Sequence, residues 1–340
     1  MKFDLQKYLK DLSTLCAIDS GHGNSKGNHA VASFFEKRYQ ALGLKTELRY
    51  REGDESSPIL LVRNSADEAI DVLFIAHMDT VFADGTASEW SFTIDENGIG
   101  HGPGCIDCKG GCLSIYYLLQ KMLEEGTCNF RFCVAMNSDE ECGSLLSKDT
   151  FEKLALHTKY CLVFEPGRAN DEFVGTRKGG DNYLVKCHGV AAHSGVDPEK
   201  GANAILELAH WLPELYSMTD YAAGTTINVA SFTGGTDSGL IPDYAECTVQ
   251  MRYLDPQAHT NLLDFFTRMK TNSYDPRTSL EIVVKASRPA MIPNSETERL
   301  FEVLQKAGDE LNQPVKLLTT GGGSDGNWVA NLGVATLDGC

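Results

Sequence analysis

Residues 72–79 read VLFIAHMD: five apolar residues in a row, then His77 and, two positions on, Asp79. A half-exposed strand alternates apolar with polar residues, and a helix needs ten or more positions. So short and unbroken a run therefore reads as a strand buried on both faces. The pattern recurs. FRFCVAM at 130–136 is followed by Asn137, Ser138, Asp139, Glu140 and Glu141, and YCLVF at 160–164 is followed by Glu165. Between the first two runs, GGCLSIYYLLQKMLEE at 110–125 has the length and spacing of a helix. Buried strands alternating with helices predict an α/β fold with a mostly parallel, helix-covered sheet. Ligands of such sheets bind just beyond the carboxyl ends of the strands. Here those ends carry a histidine and several carboxylates. A fourth segment, GHGPGCIDCKGG at 100–111, sets Asp107 among glycines just ahead of the helix.

Working outward, Leu5, Tyr8, Leu9, Leu12 and Leu15 recur at helical spacing. A Gly/Asn/Ser-rich stretch over 20–28 reads as a loop, and a second helix is expected over 29–42, stopping at Gly43. From about Arg177 the rhythm changes. Strands are expected over 182–188, 225–232, 246–254 and 280–286, with helices over 202–218 and 257–270. That β-α-β-β-α-β order is ferredoxin-like. A helix over 296–311 follows, and then short apolar runs at 315–318 and 334–337 that resemble the first buried strands. The expected organisation is an α/β domain in two parts, 1–176 and 291–340, interrupted by an α+β domain at 177–290.

The bulk properties exclude more than they identify. The chain has 340 residues, 42% of them hydrophobic, with 30 Lys+Arg against 47 Asp+Glu and a net charge of −17. Such acidity argues against nucleic acid or an anionic membrane as partner. The N-terminus lacks the apolar core of a secretory signal, and no run is long enough to span a bilayer, so a cytoplasmic location is expected. Eleven cysteines, scattered and odd in number, do not read as a disulfide framework there. Cys105 and Cys108 form a single C-x-x-C without the second pair a zinc ribbon needs, and they read as small thiols packed beside the Gly-rich loop. A thiol redox protein is the distant alternative.

Carboxylates gathered at one sheet edge repel one another unless they are protonated or share a cation. Histidine with carboxylates suits zinc, and also manganese or cobalt. One aspartate can bridge two ions, and of two adjacent glutamates one can bind metal while the other acts as a base.

The motifs HMDT (77–80), GPGCIDCKGG (102–111), SDEECGS (138–144), FEPG (164–167), GVAAHSG (189–195) and GGGSDGN (321–327), in this order, resemble the di-zinc peptidase and deacylase superfamily. The glutamate carboxypeptidase type is the nearest, with aminoacylase, acetylornithine deacetylase and succinyl-diaminopimelate desuccinylase as other members. The resemblance implies a hydrolase for the amide bond of a small peptide or N-acyl amino acid, using two zinc ions, and a homodimer formed through the inserted lid domain. It implies that His77 and Glu165 hold one metal, that Asp107 bridges, and that Glu141 holds the second. It makes Glu140 the general base and Asp79 the residue that orients His77. His193 would cross the dimer to stabilise the oxyanion, and Arg252 would meet a substrate carboxylate. Two departures accompany it. Gly239 stands where the family usually has an asparagine that reaches substrate across the dimer. The chain also ends shortly after VATLD (334–338), before the loop that supplies a histidine for the second metal. The expectations are therefore a truncated form, one tightly bound metal and feeble hydrolysis, with a catalytically impaired metal-binding homologue as the alternative. His101 is the residue that would complete the second site if two metals were held tightly.

Overall fold

The computed structural model describes residues 3–168, 172–236 and 239–340. They fall into two compact units. One comprises the chain up to Thr176 with Met291–Thr320 and Ser324–Cys340; the other comprises Arg177–Ala290 with Gly321–Gly323.

The strands of the chain, in order, are β1 (Lys45–Arg51), β2 (Asp54–Arg63), β3 (Ile70–His77), a small hairpin β4 (Thr93–Ile94) and β5 (Gly100–His101), β6 (Phe132–Asn137), β7 (Thr158–Val163) and β8 (Glu172–Arg177). They continue with β9 (Gly179–His188), β10 (Thr226–Gly234), β11 (Tyr244–Tyr253), β12 (Ser279–Arg288), β13 (Lys316–Thr320) and β14 (Ala335–Asp338). The large sheet has the order β1-β2-β6-β3-β7-β14-β8-β13. Its centre, β6-β3-β7-β14, is parallel. Antiparallel strands flank it, with β1 and β2 on one side and β8 on the other.

Alternation within the apolar runs sends side chains to two separate cores. Leu60, Val62, Phe74, Ala76, Val134 and Met136 face the helices Leu5–Cys16, Ser25–Ala41 and Lys109–Glu124, where they meet Leu15, Phe35 and Leu113. Their neighbours Ile59, Leu61, Leu73, Ile75, Cys133 and Ala135 face the opposite way, toward Phe151, Leu154, Trp328 and Val329. Each residue of the run is thus buried on its own side, and the run shows no polar position.

The loop expected over 20–28 ends earlier than its composition suggests. The helix begins at Ser25, because the Asn24 side chain accepts the Gly27 N–H at 2.8 Å and caps it. Gly27 is needed inside that first turn, since a Cβ there would lie 1.7 Å from the Asp19 carbonyl oxygen.

The second unit is the ferredoxin-like β-α-β-β-α-β arrangement. Its sheet, β10-β11-β9-β12, is antiparallel throughout. Tyr183, Val185, Val249 and Met251 pack on Leu208, Trp211, Leu262 and Phe266 from the helices Ala204–Tyr216 and Pro256–Thr271. Among the described residues no helix is long and apolar enough to cross a membrane.

Candidate metal centre

The parallel strands of the first unit deliver ionisable groups to their carboxyl ends. β3 ends on His77, whose imidazole is buried. Its Nδ1 lies 3.1 Å from the Asp79 carbonyl oxygen and 3.3 Å from Asp79 Oδ1. Its Nε2 lies 2.9 Å from Asp107 Oδ1 and 3.6 Å from Glu165 Oε1. An Nδ1–H donated to Asp79 fixes the ring so that Nε2, once it gives up its proton, would offer its lone pair to a metal ion.

Asp79 is wholly buried, and its carboxylate accepts the backbone N–H groups of Glu140 at 3.2 Å and Glu141 at 2.9 Å. The turn Glu140–Cys142 after β6 is thereby tied to the end of β3. Asp139 closes the same loop from below. It accepts the Leu146 N–H at 2.7 Å, the Ser147 N–H at 3.2 Å and the Ser147 hydroxyl at 2.5 Å. Asp107 stands just before the helix Lys109–Glu124. The buried Lys109 ammonium donates to the Leu15 carbonyl at 3.1 Å and the Ile18 carbonyl at 2.6 Å, so this loop is anchored to the end of the first helix. Burial pulls the Lys109 pKa down to about 8.

Among the described residues two groups hold three potential ligand atoms within 4.8 Å of one another: His77 with Asp107 and Glu141, and His77 with Cys108 and Glu165. Burial pushes the Glu141 carboxyl up to about 7; His77 opposes the shift, while Asp107, Glu140 and Asp79 add to it. Glu165 is held well above the usual carboxylate range, first by burial and then by Glu140, Asp338 and Asp107 against His77. For His77 burial disfavours the charged form, but Cys108, Asp107, Asp79 and Glu165 outweigh it and raise the pKa. Carboxylates and an imidazole crowded in this way fit a divalent cation, which would relieve the repulsion and supply the missing positive charge.

The structure thus brings together six of the residues singled out by sequence: His77, Asp79, Asp107, Glu140, Glu141 and Glu165. His193 and Arg252 belong to the other unit. His193 is exposed, bridges to Leu240, and accepts the Gly195 N–H on Nδ1 at 3.1 Å. Arg252 is exposed on β11 opposite Gly180, and a Cβ on Gly180 would lie 1.9 Å from its Nη1, so the guanidinium lies over the glycine. Gly239 accepts the Ser194 N–H on its carbonyl at 2.8 Å, while Asp237 and Ser238, which precede it, lie outside the described residues. His101 pairs with Asp95 at 3.1 Å and joins neither ligand group.

Three residues that matter to the site escaped sequence reasoning: Asp139, Lys109 and Cys108. Lys109 acts on backbone carbonyls and Asp139 on two backbone N–H groups and the Ser147 hydroxyl, a set of partners that no side-chain pattern records. In the sequence Cys108 reads chiefly as packing, with a sensitivity to oxidants and soft metals, whereas in the structure its thiol stands in a ligand group. Its position next to Asp107 was the signal.

The family model described as Peptidase family M20/M25/M40 matches residues 73–340. Carboxypeptidase G2 from Pseudomonas sp. (strain RS-16) is 28% identical, over 97% of this chain and 80% of that protein. Among solved structures, a tripeptidase from Staphylococcus aureus has the same fold with a TM-score of 0.76 at 19% identity, covering 98% of this chain and 89% of that one. An M20 family metallo-carboxypeptidase from Sulfolobus solfataricus gives 0.74 at 17%, covering 99% and 91%.

Proposed function

Because the chain belongs to peptidase family M20/M25/M40, and is a hydrolase of that metal-dependent kind, we propose that it cleaves the amide bond of a small peptide or N-acyl amino acid in a carboxypeptidase-like manner, with zinc as its metal. The observation that carries this reading is the convergence of His77 with Asp107, Glu141 and Glu165 at the carboxyl edge of the parallel strands, beside Glu140. A divalent ion bound there polarises a carbonyl and acidifies water.

The chain's own groups do the rest. His77 and Glu165 would hold one ion and Glu141 a second, with Asp107 shared between them. Asp79 fixes the His77 ring through Nδ1 and the Glu140–Glu141 turn through two N–H bonds. Glu140 takes the proton of the attacking water and returns it to the departing nitrogen. The second unit serves as lid and dimerisation domain, with His193 reaching the partner's site and Arg252 meeting the substrate carboxylate. The name of carboxypeptidase G2 and its similarity along nearly the whole chain support a substrate with a free carboxylate. The reading places the enzyme in the cytoplasm, where its thiols stay reduced.

The test is Glu140→Gln, assayed on a panel of dipeptides and N-acyl amino acids. Metal content should be unchanged, and kcat should fall by at least about 100-fold, as expected for loss of a general base. Loss of metal in that variant would instead make Glu140 a ligand and Glu141 the base.

A further inference from the structure

Cys108 is completely buried, and its thiol belongs with His77 and Glu165 to a group whose potential ligand atoms all lie within 4.8 Å. Several other thiols are just as buried, among them Cys16, Cys112, Cys133 and Cys161, yet none of them joins either ligand group. Cys112, one helical turn along, donates to the His77 carbonyl at 3.2 Å. The Cys108 thiol donates to the Phe164 carbonyl at 2.9 Å, and Phe164 immediately precedes Glu165. This hydrogen bond ties the loop that carries the thiol to the loop that carries the carboxylate, and both groups stand by the imidazole. Space for the sulfur depends on Gly111, where a Cβ would lie 2.9 Å from Cys108 Sγ and 2.0 Å from the Phe164 oxygen.

We infer that Cys108 is a thiolate ligand of the ion held by His77 and Glu165, which makes this a nitrogen–oxygen–sulfur site selective for thiophilic ions. The inference rests on the metal-dependent reading above. When the ion enters, the Sγ–H bond breaks and the sulfur lone pair forms the bond to the metal. The proton, now donated to the Phe164 carbonyl, leaves to solvent, and no electron is transferred. Sulfur ligands favour zinc, cobalt and cadmium, whereas manganese and magnesium prefer an all-oxygen or nitrogen–oxygen set. Cys108 thus gives the first ion position a ligand that discriminates among metals.

X-ray absorption of the full chain loaded with one equivalent of zinc tests this directly. The expected result is a zinc–sulfur distance of about 2.3 Å beside the nitrogen and oxygen shell near 2.0–2.1 Å. In Cys108→Ser and Cys108→Ala the sulfur shell should vanish while zinc is still bound, and in Cys105→Ser it should persist. The cobalt form should show a sulfur-to-metal charge-transfer band in the near ultraviolet that the same two Cys108 variants lose. Zinc affinity should fall more than about tenfold in Cys108→Ser, the lower end of what even outer-shell partners contribute, with manganese affinity nearly unchanged. Bound zinc with only nitrogen and oxygen neighbours in the unmodified chain would overturn the inference and leave the hydrolase reading intact. A sulfur shell that survives both Cys108 variants would also overturn it. A chain that binds no divalent ion would overturn both readings.

Discussion

Asp79 joins two parts of the centre through one carboxylate: Oδ1 faces His77 Nδ1, and the two oxygens together receive the Glu140 and Glu141 N–H groups. An asparagine has one acceptor oxygen and an NH₂ group, so Asp79→Asn must set two donors against each other at one of those contacts. Zinc affinity should fall by about 10- to 100-fold in this variant, measured by competition with a chromogenic chelator, with the fold retained. His77→Ala, which removes a ligand outright, should fall further. Equal affinity in the unmodified chain and either variant would remove that residue from the metal centre. At this scale the sequence revealed the ionisable residues that come shortly after apolar runs, His77, Asp79, Glu140, Glu141 and Glu165, because a buried strand end is visible as a change of polarity. Cys108 and Lys109 stayed hidden because an apolar-looking thiol and a lysine bonded to carbonyls leave no such mark.

At the scale of the element, the turn that carries Glu140 and Glu141 is only as firm as the loop beneath it. Asp139 holds that loop through two N–H groups and a hydroxyl. Asp139→Ala leaves buried donors unpaired, at a cost of about 1–3 kcal/mol for each such group. Urea unfolding should show a loss of at least about 1 kcal/mol by the same reasoning, and metal affinity should drop with it as the turn loosens. A stable variant with unaltered metal binding would mean that other contacts close the loop. The central strands were legible for a simple reason: buried on both faces, β3, β6 and β7 show unbroken apolar runs. The flanking strands were not. β1 reads KTELRYR with every residue at least partly exposed, and β2 opens on DESSP before its apolar half. Their antiparallel pairing at the sheet edge leaves no periodic signal strong enough to separate them from loop.

For the molecule as a whole, the decisive feature is how the second unit is inserted. Its first and last strands are neighbours, with Gly180 of β9 in register with Arg288 of β12. Entry and exit therefore lie side by side, and the unit has its own core around Trp211, Phe265 and Met251. The change of rhythm near Arg177 was legible because alternation replaces unbroken runs when only one sheet face is covered. A fragment of residues 178–290 should fold alone, giving a cooperative thermal transition and a mixed α/β circular dichroism spectrum.

That fragment also isolates a titration. Asp181, buried on β9, accepts His259 Nδ1 at 2.7 Å from the helix Pro256–Thr271 and the Ser287 hydroxyl at 2.6 Å from β12. Its carboxylate therefore ties three elements together. The hydrogen bond to Asp181 raises the His259 pKa above its ordinary value; burial opposes the shift, and the Asp181 charge adds to it. Tyr183 and Tyr253, nearby, have phenols that burial pushes upward, so they remain neutral while the histidine titrates. A histidine with a raised folded-state pKa binds its proton more tightly in the folded form than in the unfolded one. Its stabilisation is complete below the unfolded value of about 6.5 and disappears as the pH climbs through the higher folded value. The fragment's melting temperature should therefore decline as the pH rises above about 6.5, with the decline centred above the ordinary histidine value. His259→Gln keeps a donor toward Asp181 but has no proton to lose, so its melting temperature should be flatter over the same rise in pH. An equally steep decline in the variant would assign the dependence to another group and leave the Asp181–His259 pair a fixed hydrogen bond.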